Sequence, residues 1–270
     1  MKKILTIIFI ILLIIFITLI YSRFIGTNIL KTNEIVITEN ISPSYNGLKI
    51  VHFSDLHYKK VITNKKIKEI IKEINKLKPD LVIFTGDLTN KDYTLINNDI
   101  SFLIEEFSKI TSKYGCYTIL GDNDKQAEET IKNIYIQSNF TIINNSYSIV
   151  YNEANEKILI ADYIDESIEL INDNSIYKII LTHEPDNIDN FINSNKFINL
   201  ILAGHSLNGS INIPYLKKLF LPNNAKKYYE PHYQINNTNI YISNGLGVDK
   251  INFRLFNHPS INFYRIKNSN

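Results

Sequence analysis

Hydrophobic and polar residues are distributed very unevenly along the chain. Residues 4–21 carry no charge, no glycine and no proline, with Thr6 and Thr18 as the polar interruptions. A helix rises about 1.5 Å per residue, so about 20 residues cross a ~30 Å hydrocarbon core. Extended to Ser22, the run is close to that length. Lys2 and Lys3 precede it, Arg23 follows, and Ile20-Tyr21-Ser22-Arg23-Phe24 is a poor cleavage site. An uncleaved single-pass anchor is therefore expected rather than a removed signal peptide. The N-terminal lysines favour an inside N-terminus and a globular part outside the cytoplasm, while Arg23 and Lys31 pull the other way.

Beyond the anchor the pattern alternates between two periods. Leu48–Phe53 is a short β-rich run. Ile67, Ile70, Ile71, Ile74 and Leu77 repeat at helical spacing, with Pro79 as the stop. Leu81–Thr85 is continuously apolar, as in a strand buried on both faces. Ile100, Leu103, Ile104, Phe107 and Ile110 form a second helical stripe. Tyr117–Leu120, Tyr177–Thr182, Asn199–Ala203 and Ile240–Ser243 read as further strands. Thr141–Ile143, Ser146–Tyr151 and Lys157–Ala161 read as a meander among them. The series predicts an α/β (α+β) sandwich with mixed sheets. The expected organisation is a tail at 1–3, an anchor at 4–22, a linker with a first strand at 23–45, and one domain over 46–270.

Composition narrows the chemistry. Among 270 residues, 29 Lys and Arg against 27 Asp and Glu leave a net charge of +2, without the basic footprint of a nucleic-acid binder. The single cysteine, Cys116, permits no internal disulfide and no cysteine metal site, and it reads as a small buried hydrophobe.

The informative pattern lies just past the apolar runs. Leu48–Phe53 leads into Ser54-Asp55-Leu56-His57, and Leu81–Thr85 into Gly86-Asp87. Tyr117–Leu120 leads into Gly121-Asp122-Asn123-Asp124, Tyr177–Thr182 into His183, and Asn199–Ala203 into Gly204-His205. An Asp after a strand is commonly a helix cap, and a lone His is commonly a core or surface residue. Five such placements at the carboxyl ends of strands, where open α/β sheets build their sites, point to a shared centre. Carboxylates and imidazoles together suit Mn, Fe, Zn and similar ions, and a cation explains why several carboxylates converge.

In order and spacing these motifs resemble the calcineurin-like metallophosphoesterases, whose pattern is D-x-H, G-D, G-N-H-D/E, a late His and G-H-x-H. The resemblance covers most of residues 46–270. Tyr241-Ile242-Ser243-Asn244-Gly245-Leu246-Gly247, followed by Arg254, is similar to the end of the membrane-anchored subgroup of YkuE, YaeI and LpxG type. The resemblance implies a four-layer sandwich of two mixed β-sheets flanked by helices. It implies two divalent metal ions: Asp55 and His57 on the first, Asp87 bridging, and Asp122, His183 and His205 on the second. It also implies hydrolysis of a phosphodiester, phosphomonoester or pyrophosphate by metal-activated water. The substrate would be a phosphorylated small molecule or a lipid-linked phosphate, with no nucleic-acid partner.

Three positions depart from the family pattern. The ligand Asn is Asp122, whose extra charge should tighten cation binding and weaken attraction for a phosphate anion. The following His is Asn123, which can donate a hydrogen bond in the catalytic position but cannot transfer a proton at neutral pH. The last His is Leu207, so the first ion loses a ligand and lower occupancy there is expected. Either His232 or His258, in loop-like segments, is a conceivable replacement, and His52 reads as a core histidine. The departures also keep open a second reading, a catalytically weakened relative that serves as a metal-stabilised binding module.

Overall fold

Strands with two buried faces need covering on both sides, and this chain supplies two such sheets with helices outside them. The computed structural model describes residues 1–163, 169–194 and 196–269. In chain order the strands are β1 (Lys31–Glu39), β2 (Leu48–Phe53), β3 (Leu81–Phe84), β4 (Cys116–Thr118), β5 (Phe140–Ile142), β6 (Tyr147–Tyr151), β7 (Lys157–Ala161), β8 (Tyr177–Thr182), β9 (Leu200–Ala203), β10 (His232–Ile235), β11 (Thr238–Ile242) and β12 (Ser260–Asn268). The first sheet runs β1-β12-β2-β3-β4-β5 and the second β10-β11-β9-β8-β7-β6. Both are mixed. In the first, β12 is antiparallel to β2 while β2 to β5 are parallel. In the second, β7, β8, β9 and β11 are parallel, with β6 and β10 antiparallel at the edges.

Alternation along the strands sorts side chains into layers. Ile50, Ile83, Ile160, Ile179, Leu181, Leu200 and Tyr264 meet between the sheets. Val51, Phe53, Val82 and Phe84 face outward and are covered by Ile67, Ile70 and Ile74 of α2 (Asn64–Lys76) and by Leu103 and Phe107 of α3 (Asn97–Phe107). On the outer side of the second sheet, Ile180, Ile201 and Ile240 pack with Ile188 and Phe191. Together these make helix, sheet, sheet, helix. Cys116 is buried and free.

Several segments differ from the sequence reading. Glu128–Gln137 is a helix, α4, with Ile131 and Ile134 in the core; only those two apolar residues and Tyr135 face inward, too few for a clear stripe. The carboxyl-terminal Ser260–Asn268 is a nine-residue strand wedged between β1 and β2. His232 opens edge strand β10 rather than sitting in a loop. The expected meander is split: β5 closes the first sheet and β6 belongs to the second. Asp162 receives the backbone N–H groups of Asn145 and Ser146 at 2.8 and 3.1 Å, which holds the crossing point between sheets.

The apolar N-terminal run is helix α1 (Lys2–Ile20), continued by a wider turn over Tyr21–Ile25, and nothing in Lys2–Ile20 is buried by protein. It is long and apolar enough to cross a membrane. Its end is fastened to the domain: Ser22 and Thr27 are buried, and the Arg254 N–H donates to the Ser22 carbonyl at 3.0 Å.

Candidate metal centre

β2, β3 and β4 of the first sheet and β8 and β9 of the second, parallel within each sheet, are followed by the donor residues, and several of these leave in unusual backbone conformations. Asp55, His57, Asp87 and His205 all have φ between 45° and 62°. Non-glycine residues with left-handed φ are uncommon and gather at functional sites because the turn aims the side chain. Gly86 and Gly121 allow the loops after β3 and β4 to touch: a Cβ on Gly86 would lie 2.5 Å from the Gly121 nitrogen.

The loops bring together two groups of donors that share Asp87. One contains Asp55, His57 and Asp87, the other Asp87, Asp122, His183 and His205, and within each group the ligand atoms lie within 4.8 Å of one another. In the first, His57 Nε2 is 3.8 Å from both Asp55 Oδ1 and Asp87 Oδ2. In the second, His183 Nε2 lies 3.4 Å from Asp87 Oδ2 and 3.1 Å from Asp122 Oδ1, and His205 Nδ1 lies 3.1 Å from Asp122 Oδ1. All six residues named for metal from the sequence are thus gathered. Asn123 is buried beside them; its side-chain amide donates to Asp87 Oδ2 at 2.5 Å and its backbone N–H to Asp87 Oδ1 at 3.0 Å.

The outer contacts set which nitrogen faces inward. His183 Nδ1 is 2.7 Å from the Thr85 carbonyl and His205 Nε2 is 2.7 Å from the Asn223 carbonyl. A carbonyl only accepts, so each of these nitrogens carries the proton and the other nitrogen of the ring is directed at the carboxylates. Asp55 Oδ2 accepts from Ser54 Oγ and from the His205 N–H, leaving Oδ1 for the centre. Asp55 Oδ1 and His57 Nε2 are buried with no hydrogen-bond partner in the protein. Leaving a buried polar group unpaired costs about 1–3 kcal/mol, more when charged, so two facing orphans fit a cation.

Electrostatics point the same way. Like charges about 4 Å apart repel by roughly 4 kcal/mol at an effective dielectric near 20. Burial drives the Asp55 carboxyl up, with Asp87 adding to the rise. Burial pushes Asp87 up as well, but His183 and His57 outweigh it and hold it below the ordinary carboxylate value. Asp122 is likewise held low despite burial by its bonds to His183 and His205. Burial opposes the charge on both His183 and His205, yet Asp87 and Asp122 around the first and Asp122 against the second drive their protonation upward. The carboxylates demand positive charge at this spot, and a divalent ion is suited to supply it.

Residues missed by the sequence reading support the donors from behind. Asp124, part of a quoted motif but given no role, is fully buried and receives the backbone N–H groups of Asp87, Leu88 and Gly121 at 2.9 Å and Thr89 at 3.3 Å. It ties the Asp87 turn to the Gly121 turn, and burial pushes its carboxyl up to about 7. Arg254, also fully buried, donates to the Gly245 and Gly247 carbonyls and braces the loop behind Asp55. A Gly-Asp-x-Asp spacing could have hinted at Asp124; Arg254 belongs to the quoted carboxyl-terminal motif, but nothing local marks the carbonyls it binds.

The other candidates lie elsewhere. His52 is a core residue, bonded to Thr85 Oγ1 at 2.9 Å and Tyr264 at 3.2 Å, with burial lowering its pKa to about 3. His232 is exposed against Tyr241 and Asn239, and His258 faces the Gly26 carbonyl, so neither completes the first donor group. Leu207 is buried, and both it and Asp55 lie against Gly245, so an apolar side chain occupies the last position of the Gly204-His205-Ser206-Leu207 turn beside the first donor group. The second donor group opens to a cleft of about 600 Å³ lined by Asp122, His183, Lys125, Asn144, Asn187 and Glu184, among others.

Several known proteins resemble this chain. Residues 48–252 match the calcineurin-like phosphoesterase family model. The uncharacterized metallophosphoesterase YkuE of Bacillus subtilis is 29% identical over 93% of this chain and 90% of its own length. The phosphodiesterase YaeI of Escherichia coli is 22% identical over 74% of this chain and 75% of its own. A transmembrane protein with a metallophosphoesterase domain from Danio rerio is 23% identical over 83% of this chain and 54% of its own length. The crystal structure of TT1561 from Thermus thermophilus superposes with a TM-score of 0.46 at 10% identity, over 74% of this chain and 91% of that one. With its two strand-end donor groups and a family match across most of its length, the chain belongs to the calcineurin-like phosphoesterases.

Proposed function

We propose that this chain is a membrane-anchored phosphoesterase that hydrolyses a phosphate ester or pyrophosphate with two divalent ions. Asp55, His57 and Asp87 would hold one ion, Asp87, Asp122, His183 and His205 the other, with Asp87 shared. The observation that carries this reading is the pair of donor groups meeting at Asp87, with ring nitrogens directed inward by the Thr85 and Asn223 carbonyls. When bound, such ions lower the pKa of water and neutralise charge on phosphoryl oxygens. The chain's own groups do the rest. Thr85 and Asn223 keep His183 and His205 in one tautomer, and Asp124 holds the Asp87 turn. Asn123 orients Asp87, and its second amide hydrogen would serve a phosphoryl oxygen.

Asn123 cannot protonate a leaving group, so the site favours leaving groups that are already stable as anions, such as a phosphate or an activated alcohol. The polar lining of the cleft suits a hydrophilic head rather than an acyl chain. The apolar helix at residues 2–25 would hold the domain at the cell membrane, with the domain outside the cytoplasm as the orientation the N-terminal lysines favour. We divide the chain into a tail at 1–3, an anchor at 4–22, a linker with the first strand at 23–45 and a catalytic domain at 46–270, whose first sheet that strand, β1, completes.

The test is turnover of an aryl phosphodiester by the full chain in nanodiscs with Mn²⁺, alongside metal analysis. We expect turnover that His183→Ala lowers sharply. No bound metal and no turnover with any divalent ion would overturn the reading. Leu207 beside Asp55 favours a second reading, a metal-stabilised binding module with little catalysis. Under that reading the paired change Asn123→His with Leu207→His creates activity from a near-zero start.

A further inference from the structure

Outside the N-terminal helix and its exit, exposed large apolar side chains are few, and half of them sit together. Among the described residues beyond Ile29, ten are exposed, and five of these fall in two short segments: Tyr215, Leu216, Leu219, Ile251 and Phe256. Tyr215 is 100% exposed, Leu219 75% and Phe256 70%. The others, Val36, Ile96, Ile136, Tyr147 and Tyr151, are distributed over β1, α4, β6 and the start of α3.

The two segments form one lobe. Ile211 bridges Leu255, the Asn212 N–H donates to the Leu255 carbonyl at 2.9 Å, and the Leu255 N–H donates to the Ser210 carbonyl at 3.1 Å. Leu219, Phe220 and Leu221 face Asp249 and Ile251 across a small cavity of about 110 Å³ that Leu207 also lines. Lys218 and Lys250 are exposed on the same segments.

The lobe is continuous with the exit of the apolar helix. Arg254, between Ile251 and Phe256, receives the helix end at Ser22, and a side chain at Gly26 would run into the Arg254 carbonyl. His258 Nδ1 is 3.4 Å from the Gly26 carbonyl. At its other end the lobe reaches the metal centre, since Asn223, just past Leu221, holds His205.

We propose that residues 210–222 and 249–256 rest in the interfacial layer of the bilayer that the N-terminal helix enters, so that the metal centre works beside the membrane surface. An aromatic and leucine cluster with lysines is the composition that sits at headgroup level, where apolar bodies are buried and cationic tips stay wet. A bilayer is the occupant because the lobe hangs from the point where the spanning helix joins the domain. The inference rests on the anchor reading above, and the two are separable by experiment.

The chain contains no tryptophan, so a single introduced one reports its own surroundings. Four full-length variants would be placed in vesicles of phosphatidylcholine and phosphatidylglycerol, with ordinary or brominated acyl chains. Phe9→Trp reports the span, Leu219→Trp and Phe256→Trp the lobe, and Ile136→Trp an exposed apolar site on α4. The expected result is bromine quenching of both lobe variants at roughly half or more of that of Phe9→Trp, with Ile136→Trp unquenched. Quenching of Phe9→Trp without the lobe variants overturns the lobe contact and leaves the anchor intact. No quenching anywhere overturns both. Blue-shifted but unquenched lobe tryptophans assign the patch to protein contact, including a second copy of this chain, and also overturn it. As a functional readout, the double change Leu219→Asp with Phe256→Asp should lower turnover of a vesicle-embedded phosphoester about tenfold, about 1.4 kcal/mol, and leave a soluble aryl phosphodiester unaffected. Equal loss on both substrates would overturn the proposal.

Discussion

The two donor groups that meet at Asp87 are built to different standards. The group of Asp87, Asp122, His183 and His205 has four donors, two imidazoles whose outer nitrogens are fixed by carbonyls, and a cleft beside it. The group of Asp55, His57 and Asp87 has three donors, is entirely buried, and leaves Asp55 Oδ1 and His57 Nε2 without partners in the protein. Leu207, the position where the resembled pattern has a further histidine, is buried and apolar. One group is therefore self-supporting and the other leans on its neighbour through a single shared carboxylate. The difference teaches that occupancy of the two positions should be unequal and coupled.

The largest effect should come from Asp87, the one residue common to both. Asp87→Ala is expected to lower kcat/KM at least roughly 10³-fold, about 4 kcal/mol, and to reduce bound metal at both positions. Metal analysis showing one ion retained at full strength would break the shared-ligand picture. Next come the members of a single group. His183→Ala should cost roughly 10²-fold or more in affinity for the tighter ion, whereas His57→Ala should empty only the weaker position. Equal losses in competition titrations would erase the contrast between the groups.

The comparison can also be sharpened by repair. Leu207→His should raise occupancy of the weaker position, read as a second equivalent in a metal titration; an unchanged single equivalent would show that the apolar contact is not what limits it. Asp122→Asn removes a charge from the stronger group and should weaken its ion about tenfold, roughly 1.4 kcal/mol, while improving inhibition by inorganic phosphate. The smallest effect belongs far from the centre. Thr63 caps α2 by accepting the Lys66 N–H, and Thr63→Ala should cost about 1 kcal/mol in stability with metal binding unchanged. Loss of metal from that variant would mean the centre responds to any loosening of the fold.

Much of this was legible in the residues because its causes are local. A strand covered on both faces must be continuously apolar, so Leu81–Phe84 and Tyr177–Thr182 announce themselves. The run at residues 4–21 has no polar face to hide. The donors follow the strands directly, so each apolar run marks where a donor will stand. Elements held by distant partners were less visible. Ser260–Asn268 becomes a strand only because β1 and β2 flank it, and β5 and β6 part company only because the two sheets are separate bodies.

The chain by itself determined the family, the layered sheets and the donor types, since hydrophobic period and residue chemistry are properties of short segments. Which nitrogen of each histidine faces inward, that Asp124 ties two turns together and that Arg254 braces the loop behind Asp55 were decided only in three dimensions. So was the joining of the helix exit to a lobe that reaches the metal centre. Hydrogen bonds such as that of Asp55 to the His205 N–H link residues 150 positions apart. No local pattern encodes such a partner, because burial and pairing arise only when the separate segments have packed.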